Sequence, residues 1–377
     1  MPPTDFNPNR LTTARVLEGL TKKKLAALAG VSAAAISHFE SGRKTPGDET
    51  RLRLAEATSV RPEFFAEDDL PTVAGVFFRR VQRTPVAVQR RYEHLAALMA
   101  TALQEAGGHS GDSLPRLDDE TPAEAALTLR AHLGLQMDEP IYSAVRILEF
   151  FGVFTQALGV AEDSTVDACS TTVDGQAIAF LNPVAVDPCR TRHSALHELF
   201  HIWGHDKPET EREAKKQQEA EANDFAGELL LPTDVWAEIC PRHSLNNPWT
   251  YLPYRNRYGI SVKSLMRKTN RLGLLRDDSY RYAMMRYSKL GWNSGEPDVE
   301  DIEIGLEDEV PAAGNVLLEH FGSVEALARL LNCGRDLAAD IVGQPRSAPE
   351  WAVFEGGREL DQERTEVDDR PALKVAE

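Results

Sequence analysis

The stretch Arg192-His193-Ser194-Ala195-Leu196-His197-Glu198-Leu199-Phe200-His201 places two imidazoles four residues apart, with a glutamate beside the first. On an α-helix, four residues advance the axis by about 6 Å and turn it by about 400°, so His197 and His201 lie on one face. Two imidazoles on one face can bind a single metal ion, and zinc accepts such nitrogen ligands. The stretch therefore predicts a helix that carries part of a metal site.

Glu198 lies one step round the same helix, where its carboxylate reaches an attacking water without being a ligand. There it can take the proton of the water and later hand a proton to the leaving amine. The order H-E-x-x-H is typical of zinc peptidases. Hydrolysis of a peptide bond is therefore the leading hypothesis, and a surface helix with two incidental histidines is the alternative.

A second helix, residues 219–231, follows the motif and is stopped by Pro232. At 100° per residue, Glu219 falls about 60° from the centre of its apolar face and Glu221 about 90° or more. We therefore predict that Glu219 is the third metal ligand and that Glu221 is solvated. Asn223, one turn beyond Glu219, is predicted to hydrogen-bond a ligand histidine.

Two neighbours of the motif carry further expectations. If the helix continues, His205 lies about 12 Å from His197 along the axis, too far to share an ion with ligand bonds near 2 Å. We predict instead a helix-terminal histidine that the helix dipole favours. Residues 177–183 predict a buried strand leading into the helix, and an edge strand at that place would hold extended substrate.

The N-terminal segment carries an independent signal. From Leu20 to Pro46, two short helices are hinged at Gly30, with Ser32 as N-cap. This pattern predicts a helix-turn-helix whose second helix enters a DNA major groove, against the alternative of a helical bundle with a basic surface. Residues 1–62 hold ten Lys and Arg against six Asp and Glu, a net of +4 in a chain of −17. Expected at the DNA are Ser32, Ser37 and His38 on bases, Ala33 and Ala34 on thymine methyl groups, and Lys22, Lys23, Lys24, Arg43 and Lys44 on phosphates.

Each of these two parts of the chain resembles a known protein family. Residues 25–42 meet the pattern L-A-x-x-x-G-V-S-x-x-x-I-S-x-x-E-x-G of the Xre family of lambda-repressor-like domains. From about residue 75 to 300 the chain resembles the ImmA/IrrE metallopeptidases fused behind such domains, through residues 181–183, 197–201 and 219–232. This resemblance implies a thermolysin-like site. In it, His197, His201 and Glu219 bind zinc and Glu198 is the general base.

The resemblance also implies regulation, because relatives relieve repression by cleaving a DNA-bound repressor. Lambda-repressor-like domains usually pair on palindromic sites, which favours a homodimer, although the sequence leaves the oligomeric state open. Two departures stand out. Phe200 occupies a place where relatives often carry glycine, which is expected to narrow the cleft, and Lys22 stands where Xre domains often have glutamine.

The rest of the chain is placed more coarsely. Residues 251–290 hold ten Lys and Arg against two Asp, and residues 295–377 hold 21 acids against 7 bases, with one helical pair near Val316 to Val342. Whether the basic segment meets DNA, an acidic partner or only solvent stays open. We expect a mostly α protein with a small α+β zincin-like domain and a five-helix N-terminal domain. The expected division is a DNA-binding domain at 1–72, a helical linker at 73–120, a peptidase domain at 121–248, a basic helix-turn-helix-like module at 249–295, an acidic helical segment at 296–343 and a disordered tail at 344–377.

Global features agree with a cytoplasmic regulator. No apolar run approaches the roughly 18 residues of a membrane span, and no signal peptide follows Met1. The four cysteines form no C-x-x-C pair, which favours reduced thiols. The expected partners are double-stranded DNA and a protein substrate such as a repressor or an antitoxin, with zinc as cofactor. The alternative function is an Xre-type regulator whose zinc domain is a non-catalytic sensor or dimerisation body.

Overall fold

The computed structural model describes residues 6–73, 75–80, 85–108, 110–117, 119–157, 166–182, 187–297, 311 and 314–344. Pro183, at the end of the expected strand, lies outside these residues, as does the tail beyond Gln344 that is expected to be disordered.

The N-terminal domain contains the expected helix-turn-helix. The Thr21 and Ser32 hydroxyls accept the N–H groups of Lys24 and Ala35, both at 3.1 Å, and so begin the second and third helices. Gly30 joins them with a left-handed φ of +65°. The fifth helix of the domain is a 3-10 helix rather than an α-helix. The helices are α1 (Pro8–Leu17), α2 (Lys22–Leu28), α3 (Ala33–Glu40), α4 (Asp48–Ala57) and the 3-10 helix Pro62–Ala66.

A four-stranded sheet has the order β1-β3-β4-β2. β4 pairs antiparallel with β3 and parallel with β2, so it is an interior strand. The expectation that this strand lies at the edge is therefore wrong, because β3 pairs with one side of it through a tight turn and β2, more than 20 residues earlier, pairs with the other. Asp174 and Gly175, both at positive φ, turn β3 into β4. The strands are β1 (Phe77–Arg80), β2 (Phe154–Ala157), β3 (Val166–Val173) and β4 (Gln176–Leu181).

The segment expected to be a helical linker contributes to the sheet as well. Its helix α5 (Val86–Glu105) forms as expected, but Phe77–Arg80 pairs with β3 as the strand β1. Glu124 and Thr121 make a capping box at the start of α6 (Pro122–His132). Helix α7 (Ala144–Phe150) then leads into β2.

Three helices follow the sheet and build the centre of this domain: α8 (Pro188–Gly204), α9 (Arg212–Leu230) and α10 (Thr233–Ile239). The apolar face of α8 packs on the sheet and on α9, with Leu196 and Leu199 fully buried. The guanidinium of Arg192 is also buried, and it donates to the carbonyls of Ile141 and Tyr142 at 2.5 and 2.9 Å. These contacts hold the metal-site helix rigidly in place.

The basic module shares a hydrophobic core with α8, α9 and α10. Gly259, at φ +60°, separates α11 from α12, so a tight turn joins two short helices. The side chains of Leu265 and Met266 share a core with Trp236, whose indole N–H donates to Thr269 Oγ1 at 3.1 Å. The module consists of the 3-10 helix Pro248–Tyr251, α11 (Leu252–Tyr258), α12 (Val262–Arg271) and α13 (Asp277–Lys289).

The acidic segment forms three helices where the sequence indicates a pair: α14 (Gly314–Phe321), α15 (Val324–Leu330) and α16 (Arg335–Ile341). They pack against the N-terminal domain. Gly334 N–H donates to Ser59 O at 2.7 Å, and Arg91 pairs with Asp340 at 3.0 Å. Among the described helices, none is long and apolar enough to cross a membrane.

Candidate metal centre

The two motif histidines meet on the buried face of α8. Their Nε2 atoms are 3.0 Å apart, and both residues are completely buried. The spacing of four residues brings the rings together because one helical turn separates them. The two imidazoles therefore lie together on one face of α8, as predicted.

Glu219, on α9, adds a carboxylate to the pair. Its Oε2 lies 3.5 Å from His197 Nε2, and its Oε1 lies 3.9 Å from His201 Nε2. The three residues form a group whose ligand atoms all lie within 4.8 Å of one another. Bonds of about 2.0–2.1 Å at a tetrahedral angle put ligand atoms about 3.3 Å apart, so this donor set fits zinc.

Glu221 and His205 form a chain of contacts behind the ligands. His201 Nδ1 lies 3.0 Å from His205 Nδ1, and His205 Nε2 lies 3.0 Å from Glu221 Oε2. Glu221 is not among the grouped ligands, as expected, and its partly exposed carboxylate meets His205 because α8 ends at Gly204 and lets His205 turn toward α9. His205 is not among the grouped ligands, as the helix rise indicates, and it supports the outer nitrogen of His201 instead.

The candidate general base is held by a strand residue that the sequence does not reveal. Ser170 Oγ, on β3, donates to Glu198 Oε2 at 2.5 Å, and both residues are completely buried. A serine in a strand carries no motif, so only the packing of α8 on the sheet identifies it. The hydroxyl fixes the rotation of the Glu198 carboxylate.

Two aromatic residues flank the centre. Phe77, on the edge strand β1, stacks on the His201 ring with the centroids 4.4 Å apart and the planes at 15°. Phe200 is buried and stacks on Phe225 of α9 at 4.8 Å. Phe200 therefore fills the core between the helices, and the expectation that it narrows the cleft is wrong.

Asn223 occupies the next turn of α9 but makes a different bond from the one expected. Its amide donates to the backbone carbonyl of Glu219 at 2.5 Å rather than to a ligand histidine. The side chain also lines a cavity beside the metal centre.

The residues predicted to form the DNA surface lie on α2, at the start of α3 and along it, and in the turn after α3. Ser32, Ala33 and Ala34 are exposed, whereas Ser37 and His38 are half-buried on α3. Lys22 pairs with Glu40 at 2.7 Å, which anchors the start of α2 to the end of α3. The remaining cations of this surface, all exposed, are Lys23, Lys24, Arg43 and Lys44.

A buried ion network connects α8, the helix of His197 and His201, to the basic module. Arg255 donates to Asp187, the N-cap of α8, and to Glu296, each at 2.9 Å, and its side chain is fully buried. Burial raises the pKa of Glu296, and the backbone N–H of Val262 offsets part of that rise. Burial also raises the pKa of the nearby Cys189 thiol, so this cysteine stays protonated.

Comparison with known families agrees with this geometry. A family model described as helix-turn-helix matches residues 11–65. A peptidase family model described as the IrrE N-terminal-like domain matches residues 151–269, which include the three grouped ligands and Glu198. Comparison with curated proteins gives no match, and neither does comparison with solved structures. The chain therefore combines an Xre-type helix-turn-helix domain with an IrrE N-terminal-like domain of the metallopeptidase type.

Proposed function

We propose that this chain is a DNA-binding regulator whose central domain is a zinc-dependent endopeptidase that hydrolyses a peptide bond in a regulatory protein, such as a repressor or an antitoxin. The observation that carries the proposal is the meeting of His197, His201 and Glu219 beside Glu198. The match to a peptidase family over the same residues supports it.

In this proposal His197, His201 and Glu219 hold zinc. A zinc ion supplies a Lewis acid that polarises the scissile carbonyl and lowers the pKa of water. The ligand Nε2 of His201 is oriented by the contact of its Nδ1 with His205, which Glu221 supports in turn. Phe77, stacked on the His201 ring, keeps water from that side.

Glu198 moves the protons. Its carboxylate accepts a proton from the attacking water as the water oxygen bonds to the carbonyl carbon. The same carboxyl group then gives that proton to the amide nitrogen as the C–N bond breaks, which restores the carboxylate. Ser170 holds Oε2 in place through both transfers.

The N-terminal domain would bring this chemistry to an operator. In the proposal, α3 enters the major groove, and the exposed Lys23, Lys24, Arg43 and Lys44 contact phosphates. Because α3 offers mainly Ser32, Ser37, His38 and small alanines to the bases, we infer modest sequence specificity. A protein substrate bound at the same operator would then be presented at high local concentration.

Metal content tests the proposed ligands. Elemental mass spectrometry of the purified chain should give near one zinc per chain, lost in His197→Ala and in Glu219→Ala. Glu213→Ala is the matched control, because Glu213 is an exposed glutamate on the same helix α9. Retention of zinc in Glu219→Ala would refute the proposed third ligand.

Glu198→Gln separates the peptidase from the alternative, a non-catalytic sensor. The amide cannot accept the proton of water, so a peptidase should keep its zinc and lose turnover by about 10² to 10⁴. The regulatory output, followed with a reporter gene, should be lost with it. An unchanged output in this variant would favour the sensor.

A further inference from the structure

A cavity of about 790 Å³ lies between the first turns of α8 and the helices α12 and α13. Residues of α8 and of α9 connect this cavity to the metal centre. His193, in its wall, is one turn before His197, and Asn223 is one turn after Glu219. Residues four apart on a helix are neighbours at about 5–6 Å between Cβ atoms, so the cavity begins about one turn from the ligands.

The wall that α12 contributes is cationic. Lys263 and Arg267 are exposed, lie one turn apart and both line the cavity. Neither makes an ion pair within the part of the chain that the structure describes. By contrast, the next cations of the same helix are ion-paired: Lys268 pairs with Glu228 at 3.1 Å, and Arg271 pairs with Asp224 at 2.7 Å.

The acids of the cavity offset this positive charge only in part, because the buried Arg255 binds both of them. Asp187 and Glu296 both bind the buried Arg255 at 2.9 Å. Glu296 also accepts the N–H of Val262 at 2.9 Å and the hydroxyl of Tyr287 at 2.9 Å. The two carboxylates and Arg255 leave one net negative charge, so the two positive charges of Lys263 and Arg267 still make the lining net positive.

We propose that this cavity binds an acidic segment of the protein substrate, with Lys263 and Arg267 contacting its carboxylates. The proposal rests on the peptidase function, since the cavity begins one turn from the metal ligands. Its volume lies in the range of about 300–1,000 Å³ typical of ligand sites. A concave wall next to the metal centre suits a peptide better than duplex DNA, which needs a protruding element to enter its groove.

Binding of a defined probe tests the cavity without turnover. The full chain carrying Glu198→Gln is titrated, by fluorescence anisotropy, into a labelled ten-residue peptide of alternating Glu and Ala, and into the same peptide with Gln for Glu. Lys263→Glu with Arg267→Glu should weaken binding of the Glu peptide about tenfold or more, and the neutral pair Lys263→Gln with Arg267→Gln should weaken it less. The matched control is Arg276→Glu with Lys289→Glu, which makes the same change of charge at two exposed residues outside the cavity lining, the N-cap and the last residue of α13.

The outcomes separate this proposal from the peptidase proposal. Selective binding of the Glu peptide that is lost only in the cavity variants supports the acidic site, even if the unmutated chain cleaves nothing. Equal binding of the Glu and Gln peptides overturns it, as does equal weakening in the α13 control. Displacement of the peptide by a duplex that binds through Lys263 and Arg267 would assign the surface to DNA and also overturn it.

Discussion

Replacing Arg255 by alanine should destabilise the metal domain strongly, since its side chain is fully buried between two carboxylates. It donates to Asp187 and Glu296 at 2.9 Å each, and those side chains are 13% and 2% exposed. Removing one partner of a buried ion pair leaves an uncompensated charge and costs about 3–5 kcal/mol. The substitution also removes the side-chain contact between the basic module and Asp187, the N-cap of α8.

The matched comparison is Arg271→Ala. Arg271 pairs with Asp224 at 2.7 Å, but the two side chains are 61% and 48% exposed. Exposed pairs contribute about 0–1 kcal/mol, so this second substitution should change the free energy of unfolding by no more than that. Both variants lose one positive charge from the same module, but Arg255 is buried between two carboxylates and Arg271 is exposed beside one.

Urea unfolding followed by tryptophan fluorescence measures the effect. Four of the five tryptophans lie in residues 203–292, so the signal reports the metal domain and its module. Equal losses in the two variants, or a loss below about 1 kcal/mol for Arg255→Ala, would refute the reasoning that burial sets the magnitude.

The stability lost in Arg255→Ala should depend on pH, and the pKa of Glu296 gives the sign of this dependence. Burial raises the pKa of Glu296, the positive charge of Arg255 lowers it, and removal of Arg255 raises it further. A group whose pKa is higher in the folded state stabilises that state below its unfolded pKa, and this stabilisation is lost as pH rises through the folded pKa. The deficit of Arg255→Ala should therefore be smaller at about pH 5 than at about pH 7. A deficit that does not change over this interval would contradict the role of Glu296.

Three further predictions concern the site and the DNA surface. His205→Ala removes the contact with His201 Nδ1 and should weaken zinc affinity about 10- to 100-fold in a chelator competition, whereas unchanged affinity would exclude a role in orienting His201. Ser32→Ala removes the N-cap of α3 and should lower the free energy of unfolding of the N-terminal domain by about 1 kcal/mol, as followed by circular dichroism. Lys24→Ala with Arg43→Ala should reduce the slope of log K against log salt for duplex DNA by about 2, and an unchanged slope would place these residues away from phosphates.

Sequence periodicity predicts the parts of the site that depend on one helix. His197, Glu198 and His201 follow from the repeat of the helix alone. The choice of Glu219 over Glu221 follows from the angle of each residue to the apolar face of α9. Local capping signals likewise predict the helix-turn-helix, because Ser32 bonds to a backbone group only three residues away.

Contacts between distant segments could not be predicted in this way. Periodicity predicts β4 as a strand, but its parallel pairing with β2 depends on residues more than 20 positions apart in the chain. Ser170 meets Glu198 across 28 residues of sequence, and nothing in the sequence marks it as a partner of the base. The place of Phe200 in the core also needs the packing partner Phe225 to be known.

The sequence by itself determined the local geometry of this protein: two helices hinged at Gly30, a helix with two histidines on one face, and a carboxylate on the favourable side of the next helix. These features follow from the 3.6-residue helical repeat and from capping bonds a few residues long. Only the tertiary structure decided what surrounds that geometry. The contact between His205 and Glu221, the buried Arg255 and the cationic cavity at Lys263 all join segments that packing brings together.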